Sequence, residues 1–520
     1  MIKLILKSLK NNSRSVILGL LLFSGFFSGA TYWIGIHQGK NLSPNIHNNK
    51  SSNIDIILEH LLNNYVDTLE KIELSENSIN TILKNLDPHS SFIPSRKRQR
   101  LNESLVGHFG GIGIRFMIYN DTLTVVDVIA GGPSETVNIE KRDRIINIDG
   151  ENVAGINLKN EDVLKKLKGI VGSPVKLSIL KPNKNIEVKN IIRGTIPLKS
   201  VPAYSMLNNE TGYIKISSFS NSTDVEFRNA LKNLLLKNAK NLVLDLRFNG
   251  GGYLHQAINI ADEFLKENQL IVYTEGAHSE RRSFYSKSNG LFEDGKLIIL
   301  VNSSTASASE IVSGAIQDNG RGKILGRRTF GKGLVQQPLV LPDSSELRIT
   351  ISRYYTPSGK CIQKPYGDSI NYENDLFNRI ESGELTNHDS LFEKSKFKGG
   401  IIPDLYSPID TLNYNDQVNR IIYDRKWRNF CFNYYERYPY TKHSDIHKFY
   451  RGFKIKNKEL EEFLKSNYSE TKTYDKSTIE DLKWSLKIEL SSYYFSDQAR
   501  YILSTYKDND VEKALKALSN

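Results

Sequence analysis

Serine and threonine hydroxyls crowd the segment Ser303–Glu310, and Lys332 follows downstream between two glycines. A serine hydroxyl is a weak nucleophile that needs a base within hydrogen-bond reach. A lysine can act as that base only if its pKa falls from about 10.4 to roughly 7–8, which requires burial or a nearby positive charge. The apolar neighbours Phe330 and Leu334 suit such burial. The pattern therefore predicts a hydrolase with a serine nucleophile and a lysine general base.

Neither residue type is diagnostic alone, and the residues themselves leave alternatives open. Hydroxyl clusters are usually loops or helix caps, and a lone lysine usually lies on the surface. Within the cluster, Ser307 and Ser309 are both candidate nucleophiles. The rival mechanism is a Ser-His-Asp triad. Its base would come from three histidines that lack a supporting local motif: His89, His255 and His278.

A glycine-rich turn follows the apolar segment Leu244–Leu246. Its glycine N–H groups could face a developing negative charge, as an oxyanion hole requires. An ordinary turn or a phosphate cradle are the alternatives, although the turn lacks the Gly-Lys-Ser/Thr ending of a P-loop.

Strand and helix patterns alternate between residues 212 and 351. The predicted elements are three strands, Gly212–Ile216, Asn241–Leu246 and Lys296–Val301, and three helices, Thr223–Leu236, Gly251–Leu265 and Ala308–Gln317. This alternation predicts an α/β core, in which functional residues gather where strands end and helices begin. The glycine turn and the hydroxyl cluster both lie at such junctions.

The regions on either side of the core have different patterns. Residues 107–192 combine short strand patterns with glycine turns, which predicts a small β-rich module. Ile54–Leu86 has helical periodicity, and helical patterns recur after Asp404 without any catalytic constellation. We therefore expect helical N-terminal and C-terminal regions around the catalytic part.

Composition argues against several function classes. Lys and Arg outnumber Asp and Glu by 70 to 58, yet the short run Arg96–Arg100 is the nearest approach to a basic stripe and suits a solvated face. The two cysteines, Cys361 and Cys431, form no CxxC and have no histidine at metal-ligand spacing. We expect no nucleic-acid partner, no metal and no cofactor.

The N-terminal segment Val16–Ile36 is apolar, contains no acidic residue and follows three lysines and an arginine. Its length and the preceding charge predict one membrane-spanning helix with the N-terminus in the cytoplasm. The small residues Ser28–Ala30 could form a cleavage site, so a removed signal peptide is the alternative to an anchor. The sequence thus predicts a single-pass inner-membrane protein with its catalytic part on the periplasmic side.

Several segments, in this order along the chain, resemble the C-terminal-processing peptidases, also called tail-specific proteases. They are Leu86–Ser90, Leu246–Gly252, Ser303–Glu310, Gly331–Gln336, Tyr354–Gly359 and Gly400–Asp404. The resemblance extends from about residue 50 to residue 405. It implies an α/β serine protease core of the crotonase/ClpP-like type with an inserted PDZ domain.

The resemblance also implies roles for residues of the core. Ser307, twenty-five residues before Lys332, corresponds to the nucleophile, and Lys332 to its base. Gln336 would orient the lysine, and Asp318 corresponds to a supporting acid. The amides of the oxyanion hole would come from Ala308 and from Gly250 or Gly251; Gly250 replaces a commoner proline.

In the β-rich module the resemblance implies a loop that holds the terminal carboxylate of a bound tail. The loop residues are Gly111, Ile112, Gly113 and Ile114. The family usually has glycine at the position of Arg142. This difference puts the geometry of the local turn in doubt, but not the fold.

The expected protein is an exported serine endopeptidase that cleaves proteins and peptides presented by their free C-terminal tails. The expected domains are an n-region with anchor (1–40), a helical N-terminal segment (41–105), a PDZ domain (106–195), a protease core (196–404) and a helical accessory region (405–520). The accessory region could support homodimer formation or adaptor binding. The alternatives are a catalytically idle PDZ scaffold and a hydrolase of small esters.

Overall fold

The computed structural model describes residues 52–287, 289–367, 372–386, 399–409, 415–440, 445–468 and 474–519. The described residues form two compact units, which divide between Ser78 and Ile79. In the described part of the first unit, Ser52 caps the helix Asn53–Asn64 by a reciprocal hydrogen-bond pair with Asp55. The helix Lys71–Lys84 follows along the chain. The helical pattern predicted over residues 54–86 is therefore divided between two helices.

An antiparallel sheet organises the β-rich module. Its strands lie in the order Ile114–Tyr119, Thr122–Val128, Arg144–Ile148, Pro174–Leu180 and Ile186–Ile192, with Glu151–Asn152 beside the third and a separate ribbon of His108–Gly111 and Gly194–Pro197. The helix Asn160–Leu167 packs on the sheet through Val163 and Leu167, and the short helix Pro133–Thr136 lies between strands two and three along the chain. Among the described strands, Ile114–Tyr119 pairs on one side only, so it is an edge strand.

Arg142 lies in the turn before the strand Arg144–Ile148, and its contacts show how an arginine is tolerated there. Its backbone adopts a left-handed conformation, φ 76°, which a glycine would adopt more easily. Its guanidinium lies 5.0 Å from the ring centre of Tyr435, a favourable cation–π contact with the C-terminal region.

The α/β core is a six-stranded sheet in which all pairs but the first are parallel. The strand order is Ala203–Met206, Thr211–Lys215, Asn241–Asp245, Lys296–Val301, Lys323–Gly326 and Leu405–Tyr406. Alternate residues of the strand Asn241–Asp245 face opposite layers: Leu242 and Leu244 face the main core, and Val243 faces the helix Asn509–Ser519. The main core also contains buried side chains from three helices: Thr223–Leu236, Leu254–Asp262 and Ala308–Asp318.

A second, antiparallel sheet carries the segment that contains Lys332. Its order is Ser91–Ile93, Glu346–Tyr355, Leu270–Gly276 and Ser279–Tyr285, and Leu334–Val340 also pairs with Glu346–Tyr355. Along the chain, the helix Ser95–Val106 follows the strand Ser91–Ile93, and the helix Asp375–Glu381 follows the strand Glu346–Tyr355.

The C-terminal region is an aromatic-rich helical assembly. Its helices are Asp416–Ile422, Arg425–Arg437, Ile446–Gly452, Asn457–Asn467, Lys476–Tyr494 and Asp497–Ser504, followed by a 3-10 turn, Thr505–Lys507. Its core includes Tyr119 and Val126, so the region packs on the outer face of the β-rich module. The predicted α/β core, β-rich module and helical flanking regions are confirmed.

The prediction of a single-pass inner-membrane protein is corrected. No helix within the described parts of residues 52–519 is long and apolar enough to cross a bilayer. The longest described helix, Lys476–Tyr494, has 19 residues, including Lys476, Glu480, Asp481, Lys483, Lys487 and Glu489. A spanning helix needs about 20 predominantly apolar residues, and charges inside it are expensive. The segment Val16–Ile36 lies outside the described residues.

Candidate active site

Ser307 stands at the junction between a turn and the helix Ala308–Asp318. Its backbone has φ 56° and ψ −116°, a conformation that is strained for a residue with a Cβ atom. Such strain is retained only where the surrounding structure enforces it, and it is common at active sites. Ser307 is partly exposed, although its neighbours Ala306 and Ala308 are buried. The turn therefore presents the Ser307 side chain at the start of a buried helix.

Ser309 occupies a different environment. Its side chain is fully buried, and its hydroxyl donates a hydrogen bond to the Asn249 carbonyl oxygen at 3.1 Å. The geometry thus separates the two candidate serines that the sequence left side by side.

Lys332 is held in a partly dry environment. Its Nζ donates to Gln336 Oε1 at 3.1 Å, and Gln336 Nε2 in turn donates to the His89 carbonyl oxygen at 2.6 Å. Burial, followed by the positive charge of Arg348, lowers the pKa of Lys332 from its ordinary value. A lysine in this state is closer to the neutral form that a general base requires.

Glu310 joins the serine turn to the lysine loop. Its side chain is fully buried and accepts four hydrogen bonds. Oε2 accepts from the backbone N–H groups of Ser307 and Lys332, both at 2.8 Å. Oε1 accepts from the Gly331 N–H at 2.7 Å and from the Thr329 hydroxyl at 2.5 Å. One carboxylate therefore fixes the backbone positions of both candidate catalytic residues.

Tyr354 lies between the same two residues. Its hydroxyl donates to the Lys332 carbonyl oxygen. Burial and the Glu310 carboxylate raise its pKa, and a hydrogen bond with the Ser307 side chain partly offsets this rise. Tyr354 is thus a neutral phenol that holds the backbone carbonyl of Lys332.

In the sequence, Glu310 and Tyr354 stand out only as members of the family motifs Ser303–Glu310 and Tyr354–Gly359. A glutamate three residues after a helix-capping serine is a recognisable local signal. Its bonds to a loop more than twenty residues away are visible only in three dimensions.

The glycine turn meets the serine turn directly. A Cβ atom on Gly251 would lie 2.7 Å from the Ser307 Cβ and 2.9 Å from the Ala306 carbonyl oxygen. The Gly251 N–H is already engaged, since it donates to Asn249 Oδ1 at 2.8 Å. Within the described residues, the N–H groups of Gly250 and Ala308 have no acceptor.

The remaining predicted or rival residues are Asp318 and the three histidines. Asp318 ends the serine helix, about 16 Å along its axis from Ser307, and accepts from the Ser358 N–H at 3.0 Å. The structure does not bring it to Lys332. His255 and His278 are exposed. His89 lies close to the lysine, where burial and the Lys332 charge lower its pKa to about 4.

The carboxylate loop of the β-rich module leads into the edge strand. Gly113 has φ 77°, and the Ile112 and Gly113 carbonyl oxygens accept from Ser134 and Ile129. The N–H groups of Ile112 and Gly113 have no acceptor among the described residues, which leaves two donors at the start of the strand Ile114–Tyr119.

Comparison with known proteins gives a consistent result. Residues 210–370 match peptidase family S41, and residues 110–191 match the PDZ domain. A carboxy-terminal-processing protease of Bartonella bacilliformis is 35% identical over 313 residues, which cover 59% of this chain and 71% of that protein. The chain belongs to the carboxy-terminal processing proteases of peptidase family S41. A probable CtpA-like serine protease of Staphylococcus aureus is 31% identical over 354 residues, covering 67% of this chain and 69% of that protein.

A solved structure, the photosystem II D1 C-terminal processing protease, is 25% identical and covers 70% of this chain and 88% of its own, with a TM-score of 0.37. The S41 chain described here is a serine-type peptidase with a PDZ domain. Its described residues contain no group of three or more His, Cys, Asp or Glu side chains that could hold a metal ion.

Proposed function

We propose that this S41 peptidase cleaves polypeptides presented by their C-terminal tails, with Ser307 as nucleophile and Lys332 as general base. The observation that supports it most is the shared Glu310 carboxylate, which ties the backbones of both residues together at 2.8 Å each. The lowered pKa of Lys332 supports the role of base. The engagement of the Ser309 hydroxyl with Asn249 argues against Ser309 as nucleophile.

The chemistry proceeds in two halves. Lys332 takes the proton from the Ser307 hydroxyl as its oxygen attacks the scissile carbonyl, and the ammonium then returns a proton to the leaving amine. A water molecule, deprotonated by the neutral lysine, then attacks the acyl group; as the bond to Ser307 breaks, the ammonium returns the proton to the Ser307 oxygen and the acid product leaves. Gln336 orients the lysine Nζ through the 3.1 Å hydrogen bond.

The oxyanion that forms in each half needs N–H donors without other partners. We assign this role to the N–H groups of Gly250 and Ala308, because the Gly251 N–H already donates to Asn249 Oδ1. Gly251 instead lets the two turns approach closely, since any Cβ atom there would overlap Ser307. We assign Asp318 to the turn at Ser358 that it supports.

We propose a separate role for each domain. We assign residues 106–195 to tail binding, 196–404 to catalysis, and 41–105 and 405–520 to flanking helical regions. The two N–H donors of Ile112 and Gly113 would hold the terminal carboxylate, and Gly111 and Ile114 complete that loop. The partners are proteins and peptides with free C-terminal tails.

Cleavage of a reporter protein with an unfolded C-terminal tail tests the proposal. We expect the full chain to cut it, Ser307→Ala and Lys332→Ala to be inactive, and Ser309→Ala to retain activity. Normal cutting by Lys332→Ala would disprove the lysine base. A wild-type chain that binds the tail without cutting would instead support a non-catalytic scaffold.

A further inference from the structure

A cavity of about 1250 Å³ runs beside the edge strand Ile114–Tyr119. One wall is the PDZ domain itself, including Phe116, Ile118 and Leu164 of the helix Asn160–Leu167. The other wall belongs to three helices of the C-terminal region: Arg425–Arg437, Lys476–Tyr494 and Asp497–Ser504. Small-molecule pockets occupy about 300–1,000 Å³, so this cavity has room for a longer ligand.

Three side chains that line this cavity each have a buried polar atom with no partner in the described part of the chain. Among the described residues, Arg115 Nε, Asn429 Oδ1 and Arg500 Nε are buried without a hydrogen bond. Arg115 comes from the edge strand, whereas the other two come from the helical region. Unsatisfied buried groups are rare in folded proteins and call for an explanation. The three side chains come from both walls, which shows that the contact between the walls leaves polar groups unpaired.

The lining carries an excess of positive charge. Six lysine and arginine side chains line the cavity against three carboxylates. Asp127 and Asp497 pair with Arg115, and Glu489 pairs with Arg500. Arg425 and Arg428 are exposed on the helical wall and have no ion pair with any described residue. Their charge is therefore free to act on a ligand.

We propose that the C-terminal helical region forms the second wall of the tail-binding channel, and that Arg425 and Arg428 select tails with acidic residues upstream of the terminal carboxylate. The proposal rests on the proposed function, in which a tail adds to the edge strand. A tail whose carboxylate lies at the loop before Ile114 runs antiparallel to the strand Ile114–Tyr119. Its upstream residues must then pass through the cavity between the two walls.

This arrangement also explains how an exposed sheet edge is managed. Unpaired edge strands are prone to pairing with other chains, and proteins protect them with charged residues or covering segments. Here the helical region packs on the outer face of the strand through Tyr119 and leaves a channel along its edge.

Peptide binding to the full chain carrying Ser307→Ala tests the proposal. The probes are fluorescent ten-residue peptides with one common C-terminal triplet, and their upstream positions carry either glutamates or glutamines. Each is made with a free carboxylate and with an amide end, and anisotropy gives the Kd. The test variant adds Arg425→Gln and Arg428→Gln. The matched control adds Lys458→Gln and Lys516→Gln, whose side chains are exposed and lie outside the cavity lining.

We expect the glutamate peptide to bind the Arg425→Gln/Arg428→Gln variant at least about fivefold more weakly than the control, with less dependence on salt. The glutamine peptide should bind both proteins equally. Equal binding of the glutamate peptide to test and control proteins would overturn the proposal and leave the proposed function intact. Equal binding of amide-ended and free-ended peptides would instead contradict tail recognition itself.

Discussion

Glu310→Gln is the change that tests most sharply how the site is assembled. The substitution keeps the size of the side chain but turns one accepting oxygen into an NH₂ group. That group cannot accept the two hydrogen bonds that each carboxylate oxygen now receives, and it would face two N–H or O–H donors. Hydrogen bonds to a charged group contribute about 1.5–3 kcal/mol each, so the gross loss is roughly 3–6 kcal/mol.

Part of that loss is offset. Burial raises the pKa of Glu310, because the charged form is taken out of water, and the neutral amide escapes this penalty. We therefore expect the free energy of unfolding to fall by about 1–3 kcal/mol. The larger effect should be on catalysis. The serine turn and the lysine loop lose their common anchor, and a displacement of about 1 Å costs roughly 100-fold in kcat.

The assay combines urea unfolding with cleavage kinetics on the tail reporter. The matched control is Glu263→Gln, another buried glutamate whose pKa is raised by burial and which accepts from the Leu291 N–H at 3.0 Å. It should lose stability while kcat changes little. A wild-type kcat in Glu310→Gln, or a loss of kcat in both variants in proportion to their loss of stability, would contradict the role of Glu310 as the common anchor.

Three further predictions concern the same site. Lys332→Met should lower kcat at least 100-fold yet raise the free energy of unfolding near pH 7. Because the folded pKa of Lys332 is lowered, its charge costs stability below the ordinary lysine pKa, so the gain should shrink as the pH rises; urea unfolding across pH checks this. Arg348→Gln removes a positive charge that lowers the Lys332 pKa, so the acid limb of the kcat/KM profile should move to higher pH, and an unmoved limb would refute it. Gly251→Ala should abolish cleavage through overlap with Ser307, whereas Gly250→Ala, with open space at its Cβ position, should retain measurable cleavage of the tail reporter.

The elements that the sequence predicted best were those with strong local patterns. The strand Lys296–Val301 and the helix Thr223–Leu236 have the bounds that hydrophobic periodicity indicated. The helix after the glycine turn, Leu254–Asp262, is shorter than the predicted Gly251–Leu265. It begins later because Gly251 and Gly252 have positive φ angles that do not occur within an α-helix.

Long-range pairings could not be read from local patterns. The hairpin of Leu334–Val340 and Glu346–Tyr355 fixes Lys332 relative to the core. The alternation of polar and apolar residues over Glu346–Ser352 is typical of a strand, but it does not show which other strand pairs with it. The separation of Ser307 from Ser309 likewise depends on Asn249, sixty residues away from Ser309 along the chain. The family resemblance supplied the residue roles, and the geometry supplies Glu310 and Tyr354 as the groups that hold them.

Covalent labelling of the nucleophile is the measurement that tests the central proposal most directly. The full chain is treated with a serine-reactive fluorophosphonate, and the labelled residue is identified by peptide mass spectrometry, in parallel with Lys332→Ala. We predict one adduct on Ser307, formed at least about 100-fold more slowly in Lys332→Ala because the hydroxyl loses its base. An adduct on Ser309, or equal labelling rates in the two proteins, would contradict the account.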